Sequence, residues 1–248
     1  MLQGLFRNLN SSLTVLSRSR FTEDRLETAI AEGVSQYVIL GAGFDTFALR
    51  ATSTFPNLDV YEVDTEASQS AKKSRVRTSG LKQNPRVIYV PVDFLKETVA
   101  AKLIKVGFDA SKPAFISWLG VTLYLTHEAV AETIKSLGRV CAPGSRLVTD
   151  FMDARLHDPE FTESEPEIAK SMERLKAYTA SKGEPILSGF TAKEITEMAL
   201  PFGWKFKETQ TSRQHAEQFL RGEADHCWPT NYDHLLMLEK TEDDGNSL

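Results

Sequence analysis

The stretch Tyr37-Val38-Ile39-Leu40-Gly41-Ala42-Gly43-Phe44-Asp45-Thr46 indicates the fold of this chain. Its first four residues are apolar and predict a short, buried strand. Gly41 and Gly43 follow directly and predict a tight turn into a helix, where a ligand can approach the backbone closely. A glycine turn between a strand and a helix is typical of open α/β sheets that bind nucleosides and nucleotides.

Outward from this turn, short apolar runs alternate with longer amphipathic runs, which predicts crossover units and a mostly parallel sheet. Strands are predicted at Tyr37–Leu40, Leu58–Val63, Arg86–Val90, Ala114–Trp118, Ser145–Phe151, Trp204–Thr209 and His234–Glu239. Helices are predicted at Ala67–Ser79, Leu95–Val106, His127–Val140, Glu167–Ser181 and Thr191–Leu200. The predicted fold class is therefore α/β, a Rossmann-like sheet with helices on both faces.

We expect the 248 residues to form one domain, because this length supports a single α/β core and no linker or repeat interrupts it. The segment 1–35 is predicted to be helical, since apolar side chains recur every three or four positions at Leu2, Leu5, Phe6, Leu9, Leu13 and Leu16. It has no acidic residue before Glu23, so an organelle transit peptide is the alternative. A polar, charge-rich stretch spans 153–185, and 241–248 is predicted to be a flexible tail.

Composition argues against several partners and compartments. The formal net charge of -5 offers no basic surface for phosphates, so nucleic acid is not expected as a partner. No apolar run reaches the roughly 18 residues of a membrane span, so no membrane partner is expected either. Two cysteines cannot form a disulfide framework and suit a reducing compartment, which predicts the cytoplasm. Composition does not indicate the oligomeric state.

Asp64 follows Gly43 by about 20 residues, the spacing at which a carboxylate accepts hydrogen bonds from ribose hydroxyls. This predicts an adenosine-containing cofactor, either a dinucleotide or S-adenosyl-L-methionine. A dinucleotide turn prefers a third small residue where this chain has Thr46, and its pyrophosphate would meet the negative charge of Asp45. S-adenosyl-L-methionine has an ammonium, a sulfonium and no phosphate, so these residues favour it. The alternative is that Asp45 only caps the following helix.

Asp93 and Phe94 follow the third predicted strand, so they belong to the same edge of the sheet. Asp93 can accept a hydrogen bond from the adenine amino group, and Phe94 can pack on the purine or, alternatively, belong to the core. The cofactor site predicted from the residues themselves therefore comprises Gly41, Ala42, Gly43, Asp45, Asp64, Asp93 and Phe94.

The chain resembles the leucine carboxyl methyltransferase family and its bacterial relatives among the class I S-adenosyl-L-methionine-dependent O-methyltransferases. Beyond the glycine turn, the resemblance rests on Arg20-Phe21-Thr22-Glu23-Asp24, Tyr61-Glu62-Val63-Asp64 and Ser117-Trp118-Leu119-Gly120-Val121-Thr122-Leu123-Tyr124-Leu125-Thr126. It covers residues 18–155, and the C-terminal part is similar in layout only.

The resemblance implies a seven-stranded sheet with one antiparallel strand, methyl transfer to oxygen, and a helical cover over the substrate at 153–185. It also implies that Arg20 pairs with the methionine carboxylate of the cofactor, with Arg18 as the alternative, and that Trp118 and Leu119 lie at the cofactor. Family members often have a glutamate at the position of Leu119, so one polar contact is missing here. The chain also begins later than many relatives, whose further N-terminal residues add to the cover.

The acceptor is predicted to be a carboxylate of a small molecule or a peptide, as the resemblance implies. A carboxylate is already ionised at neutral pH, so no catalytic base is needed and no catalytic residue is assigned. Tyr124 and Arg155 are candidate acceptor-binding residues, with packing and simple solvation as their alternatives. If the acceptor were an alcohol or a phenol, the candidate bases would be His127, His157 and Asp153.

The sequence leaves two rival functions open and argues against a metal site. Asp225, His226 and Cys227, with His215 nearby, lack the ligand spacing of a zinc site, so no metal is predicted. One rival function is an NAD-dependent oxidoreductase, which Asp45 and Thr46 disfavour. The other is a non-catalytic protein that binds an adenosine ligand on a methyltransferase-like fold, for which Leu119 is the main argument.

Overall fold

A seven-stranded, mostly parallel sheet forms the centre of the computed structural model, which describes residues 11–50, 54–81, 84–94, 96–220 and 229–242. The strands are β1 (Gln36–Leu40), β2 (Asp59–Asp64), β3 (Val87–Pro91), β4 (Phe115–Trp118), β5 (Arg146–Met152), β6 (Trp204–Thr211) and β7 (Asp233–Lys240). The α-helices are α1 (Ser11–Ala31), α2 (Phe47–Arg50), α3 (Glu66–Thr78), α4 (Val99–Lys105), α5 (His127–Val140), α6 (Pro159–Ser164), α7 (Pro166–Ser181), α8 (Ala192–Ala199) and α9 (Ser212–Leu220).

The strand order is β3-β2-β1-β4-β5-β7-β6, and β7 runs antiparallel to both of its neighbours. The sheet with one antiparallel strand, implied by the family resemblance, is therefore confirmed. The order reverses between β1 and β4, which pair with each other in parallel. In open α/β sheets such a reversal opens a crevice at the carboxyl ends of the strands, where ligands bind. The glycine turn lies at that position.

All seven predicted strands are present, and their bounds differ from the prediction by at most two residues. Helix α4 begins at Val99, whereas its predicted first residue, Leu95, lies outside the described residues. Before the helix, the amides of Lys96 and Glu97 donate to Asp93 O. Helix α9, for which no prediction was made, packs against α1 through contacts such as the hydrogen bond from Ser17 Oγ to Ser212 O. The apolar positions predicted at Leu2, Leu5, Phe6 and Leu9 lie outside the described residues, as does most of the predicted tail.

Two apolar clusters cover the two faces of the sheet. One contains Phe21 and Leu26 of α1, with Phe47 of α2, packed on alternate residues of β1, β2 and β4. The other contains Leu103 of α4 and Ile134 of α5, packed on the remaining strand residues. Because the central strands are buried on both faces, they consist almost entirely of apolar residues. A third, smaller cluster lies beyond the end of β5, under α7, and is described with the site.

No helix in the described part of the chain is long and apolar enough to cross a membrane.

Candidate functional site

The glycine turn is tied to the end of β2 by backbone hydrogen bonds. The amides of Gly41 and Ala42 both donate to Val63 O, and the Gly43 amide donates to Asp64 Oδ2 at 2.6 Å. Gly41 has a φ of 66°, and a side chain at this position would overlap Val121 Cγ2. The turn therefore requires glycine at Gly41 both for its backbone conformation and for its packing.

Asp64 uses both carboxylate oxygens to hold the turn. Oδ2 accepts from the Gly43 amide, and Oδ1 accepts from the Thr65 amide at 2.6 Å. A carboxylate has about four acceptor positions, so two remain for a ligand. Asp64 therefore stabilises the turn, and its contact with a ribose stays a prediction.

Asp45 caps helix α2, because its Oδ1 accepts from the Phe47 amide at 2.6 Å. This was the alternative considered for Asp45. The same residue also lines a cavity beside the turn, so its negative charge faces any ligand bound there. The two roles are compatible.

The cavity beside the turn, named here the turn cavity, has a volume of about 400 Å³. Its walls come from residues 41–46 of the turn, from Ser117 and Leu119 at the end of β4, and from Val15, Arg18 and Ser19 of α1. Of the predicted cofactor residues, the turn cavity thus brings together Gly41, Ala42, Gly43, Asp45 and Leu119.

A second cavity of about 630 Å³, named here the large cavity, adjoins the first. Its floor is the end of β5, and six residues of α7 contribute to its walls: Ile168, Ser171, Met172, Leu175, Tyr178 and Thr179. Tyr124, a predicted acceptor-binding residue, also lines it. The segment 153–185 therefore lies over this cavity, and its role as a substrate cover stays a prediction.

The two cavities meet at Arg18. Val15, Arg18 and Gly120 line both of them. Asp150, at the end of β5, holds this junction together: its Oδ2 accepts from Arg18 at 2.8 Å, and its Oδ1 accepts from the Gly120 amide at 2.6 Å. A ligand in the turn cavity and a ligand in the large cavity would therefore lie next to each other.

The structure does not bring Arg20 to either cavity. Its side chain is 64% exposed and pairs with Asp24 at 2.8 Å on the outside of α1. Side chains two positions apart in an α-helix differ in direction by about 200°, so Arg18 and Arg20 point to opposite sides of α1. Of these two arginines, Arg18, the alternative, is the one that lines the cavities, and the placement of Arg20 at the site is corrected accordingly.

Trp118 also lies away from both cavities. It is fully buried in the cluster that contains Leu103 and Ile134, because side chains along β4 alternate between the two faces of the sheet. Its neighbour Ser117 faces the turn cavity and shares a hydrogen bond of 2.9 Å with Tyr37 Oη. The predicted contact of Trp118 with a cofactor is thus not supported by its position, and Ser117 is a site residue that the sequence analysis missed.

Asp93 and Phe94 lie beyond the walls of the turn cavity. Asp93 forms an exposed ion pair with Lys96 at 2.7 Å, and Phe94 packs partly against the core. Both follow β3, the edge strand of the sheet, two strands away from β1. Neither residue lines the turn cavity, and their contact with an adenine ring stays a prediction.

Arg155 is bound by Asp153 and does not line the large cavity. Its guanidinium contacts both Asp153 oxygens, with the shortest distance at 2.6 Å, and its side chain is 57% exposed. Asp153 also pairs with His234 at 3.1 Å, so this candidate base is already engaged. His127 and His157 likewise do not line the cavity.

Asp233 is a carboxylate of the large cavity that the sequence analysis missed. Its Oδ2 accepts from Thr230 Oγ1 at 2.7 Å and from Thr14 Oγ1 at 3.4 Å. Burial raises the pKa of Asp233 above its ordinary value, and the nearby charge of Asp150 raises it further. It is the first residue of β7, so only the antiparallel pairing of β7 with β5 brings it beside Met152 and the cavity floor.

No group of three or more histidine, cysteine, aspartate and glutamate side chains with metal-binding geometry occurs among the described residues. Asp225, His226 and Cys227 lie outside them. His215 is buried and bonds Ser17 Oγ at 3.2 Å, so it is part of the α1–α9 contact.

Residues 4–138 match the model of the leucine carboxyl methyltransferase family. A Bacillus subtilis protein, named as a proposed S-adenosyl-L-methionine-dependent methyltransferase, is 36% identical over 187 residues, which cover 75% of this chain and 59% of that protein. The chain spans about half the length of the curated relatives it matches.

Two solved structures are similar over most of the chain. A DUF574 family protein from Streptomyces avermitilis superimposes with a TM-score of 0.65 at 17% identity, covering 96% of this chain and 88% of that one. The magnesium protoporphyrin IX methyltransferase of Synechocystis, solved with bound SAH, has a TM-score of 0.54 at 11% identity, covering 91% and 84%. At such identities the likeness concerns the fold.

Proposed function

Since the chain belongs to the leucine carboxyl methyltransferase family, we propose that it is an S-adenosyl-L-methionine-dependent O-methyltransferase that acts on a small molecule or a peptide. Its fold is that of the class I methyltransferases. The observation that carries the proposal is the junction at Arg18 and Gly120, where the turn cavity and the large cavity meet. Methyl transfer is a direct displacement, so donor and acceptor must be held in contact in adjoining sites.

The residues of the turn cavity suit the methionine half of the donor. Asp45 offers a carboxylate for its ammonium, and Arg18 offers a guanidinium for its carboxylate. Asp64 retains free acceptor positions for the ribose at the adjoining edge of the turn. When bound, the donor supplies a methyl group that its sulfonium already activates.

The same residues oppose a dinucleotide. A pyrophosphate at the start of α2 would meet the carboxylate of Asp45, which already accepts from the Phe47 amide that the phosphate would need. The rival oxidoreductase function is therefore disfavoured on electrostatic grounds. The donor binding tested below separates the two.

The first candidate acceptor is a carboxylate, in keeping with the family. The protein then has only to orient the acceptor and exclude water, since an ionised carboxylate needs no base. Tyr124, half-buried in the wall of the large cavity, is the candidate for orienting it. Arg155 is not placed for this role, because its side chain does not line the large cavity.

The second candidate acceptor is a hydroxyl, and Asp233 is the observation that favours it. Its carboxylate lies in the large cavity with both hydroxyl donors, Thr14 and Thr230, on the same oxygen. Burial raises its pKa, which makes it a stronger base than an ordinary aspartate. A hydroxyl acceptor could then pass its proton to Asp233 as the new C–O bond forms.

Binding of the methyl donor is the first expected result. In isothermal titration the protein should bind S-adenosyl-L-methionine and not NAD. Arg18→Met should weaken donor binding by roughly 10- to 100-fold, the worth of a hydrogen bond to a charged group. The matched control Arg20→Met, on the outer side of the same helix, should bind like the wild type.

Binding of NAD instead, of neither ligand, or an equal loss in both variants would refute the proposed donor site. Donor binding without methyl transfer to any acceptor would support the non-catalytic alternative.

Asp233→Asn distinguishes the two acceptors. With labelled donor and a panel of carboxylic acids and phenols, a hydroxyl acceptor predicts a loss of about 10²- to 10⁴-fold in rate, because a general base is removed. Its raised pKa also predicts that the wild-type rate climbs with pH above the ordinary aspartate value of about 3.9, as Asp233 loses its proton. A carboxylate acceptor predicts only a small change in the variant. Asp59→Asn, remote from both cavities, serves as the control.

A further inference from the structure

The walls of the large cavity are chemically divided. Its apolar part is the third cluster of the protein, in which Met152, Leu156 and Met172 are buried and Ile168 and Leu175 pack against them. This cluster is separate from those on the two faces of the sheet. It joins the end of β5 to the underside of α7.

Three charged groups of the cavity lie together at the junction with the turn cavity: Arg18, Asp150 and Asp233. A fourth charged lining residue, Arg213 of α9, pairs with Glu217 of the same helix. Asp150 contacts Arg18 and the Gly120 amide directly. The charges of Asp150 and Arg18 both influence the pKa of Asp233. Asp233 also accepts a hydrogen bond from the Thr14 hydroxyl of α1. The cavity therefore runs from a polar end beside the proposed methyl donor to an apolar end under α7.

The apolar end offers little for a peptide backbone to bind. Its side chains are mostly hydrocarbon and thioether, and its polar groups are the hydroxyls of Ser171, Tyr178 and Thr179. The Thr179 hydroxyl already donates to carbonyl oxygens of its own helix. A buried peptide amide without a hydrogen-bond partner loses its hydration without compensation, so each backbone group placed here would weaken binding. Hydrocarbon and aromatic groups have no such cost, and their burial is favourable.

The volume of about 630 Å³ also indicates the size of the ligand. Small-molecule sites typically measure about 300–1,000 Å³ and are lined mainly by apolar side chains with a few polar groups that fix orientation. The large cavity matches this description in both respects.

We infer that the methyl acceptor is an amphipathic small molecule with an apolar body. Its oxygen lies at the Arg18–Asp150 end, and its aliphatic or aromatic body lies between Met152 and α7. The orientation of the acceptor in the cavity rests on the proposed function. The apolar binding site itself follows from the cavity walls.

The test uses four probes in isothermal titration: octanoate and octanol as aliphatic ligands, and 2-naphthoate and 2-naphthol as aromatic ones. The hydrophilic peptide Gly-Gly-Gly serves as the comparison ligand. At least one apolar probe should bind the wild-type protein, and the peptide should not. The better-bound pair identifies the body as aliphatic or aromatic.

Two variants locate the site. Met172→Glu places a charge in the apolar end and should weaken binding of the probe at least about tenfold. Leu175→Trp fills the same space without a charge and should weaken binding of the probe to a similar extent. The site can therefore be tested with this variant even if Met172→Glu does not fold. Ala177→Glu, on the exposed side of α7, is the matched control and should bind like the wild type.

The inference is overturned if no apolar probe binds, if the peptide binds better than the probes, or if both cavity variants bind like the wild type. The donor titration distinguishes a failure of this inference from a failure of the proposed function. Donor binding with no probe binding refutes the apolar acceptor alone. Probe binding with no donor binding refutes the methyltransferase proposal and leaves an apolar ligand site.

Discussion

Lys72→Met is expected to lower the free energy of unfolding by about 3–5 kcal/mol, the range for breaking a buried ion pair from one side. Lys72 Nζ lies 2.6 Å from Glu62 Oε2, and the two side chains are 5% and 1% exposed. Neither charged group has a further hydrogen-bond partner among the described residues. Removal of the lysine therefore leaves a buried carboxylate without compensation.

The loss should depend on pH in a defined direction. Burial raises the pKa of Glu62 and the neighbouring Lys72 lowers it, so the variant should have a still higher pKa at this residue. A raised carboxyl pKa means that the folded state holds a proton that the unfolded chain releases near pH 4.3. The deficit of the variant should thus be largest at neutral pH and shrink as the pH falls towards 4.

Denaturant unfolding of four proteins checks this prediction. Glu62→Met/Lys72→Met, which removes both charges and keeps similar volumes, should recover most of the loss, because no charge then remains buried. Lys193→Met, which breaks an exposed pair with Glu197, should change stability by no more than about 0.5 kcal/mol. Equal losses in Lys72→Met and Lys193→Met, or no recovery in the double variant, would contradict the argument.

Gly41→Ala should destabilise the protein by about 2–5 kcal/mol, the sum of two effects. Its φ of 66° costs a residue with a side chain about 1–2 kcal/mol. Overlap of the new methyl group with Val121 Cγ2 adds about 1–3 kcal/mol, because the β-branched valine cannot move aside freely. The turn should also shift away from the cavity that it lines, so donor binding should weaken.

Gly183→Ala provides the matched control. Gly183 has a φ of 82°, and nothing lies within 4 Å of the position that a side chain would occupy. Its substitution should therefore cost only the backbone part, about 1–2 kcal/mol. Combining Gly41→Ala with Val121→Ala should remove the overlap and bring the loss of the turn variant closer to that of Gly183→Ala. Equal thermal shifts in Gly41→Ala and Gly183→Ala would show that the contact with Val121 contributes nothing.

The position of the turn could be predicted because its determinants are local. The run Tyr37–Leu40 is apolar since β1 is buried on both faces, and the glycines follow where the chain must reverse direction. Asp64 could be predicted because β2 lies beside β1 and ends at the same edge of the sheet. Each of these inferences needs only residue patterns and spacings that are local in the chain.

The sequence did not determine the directions of the side chains. Arg18 and Arg20 have the same chemistry, and only the rotation of α1 against the sheet decides which of them lies at the cavities. Ser117 and Trp118 are adjacent, and only the layers that cover β4 decide which one faces the turn cavity. A pattern of residue types does not contain this information, because it depends on how two elements pack.

The sequence by itself determined the α/β class, the seven strands and the place of the glycine turn, since strand burial and turn conformation depend on residues close together in the chain. Only the tertiary structure decided which residues line the large cavity. Thr14, Gly120, Asp150 and Asp233 come from α1, from the loop after β4, and from the strands β5 and β7. Their meeting depends on the packing of α1 and on the antiparallel insertion of β7 beside β5, which are long-range contacts that no local pattern records.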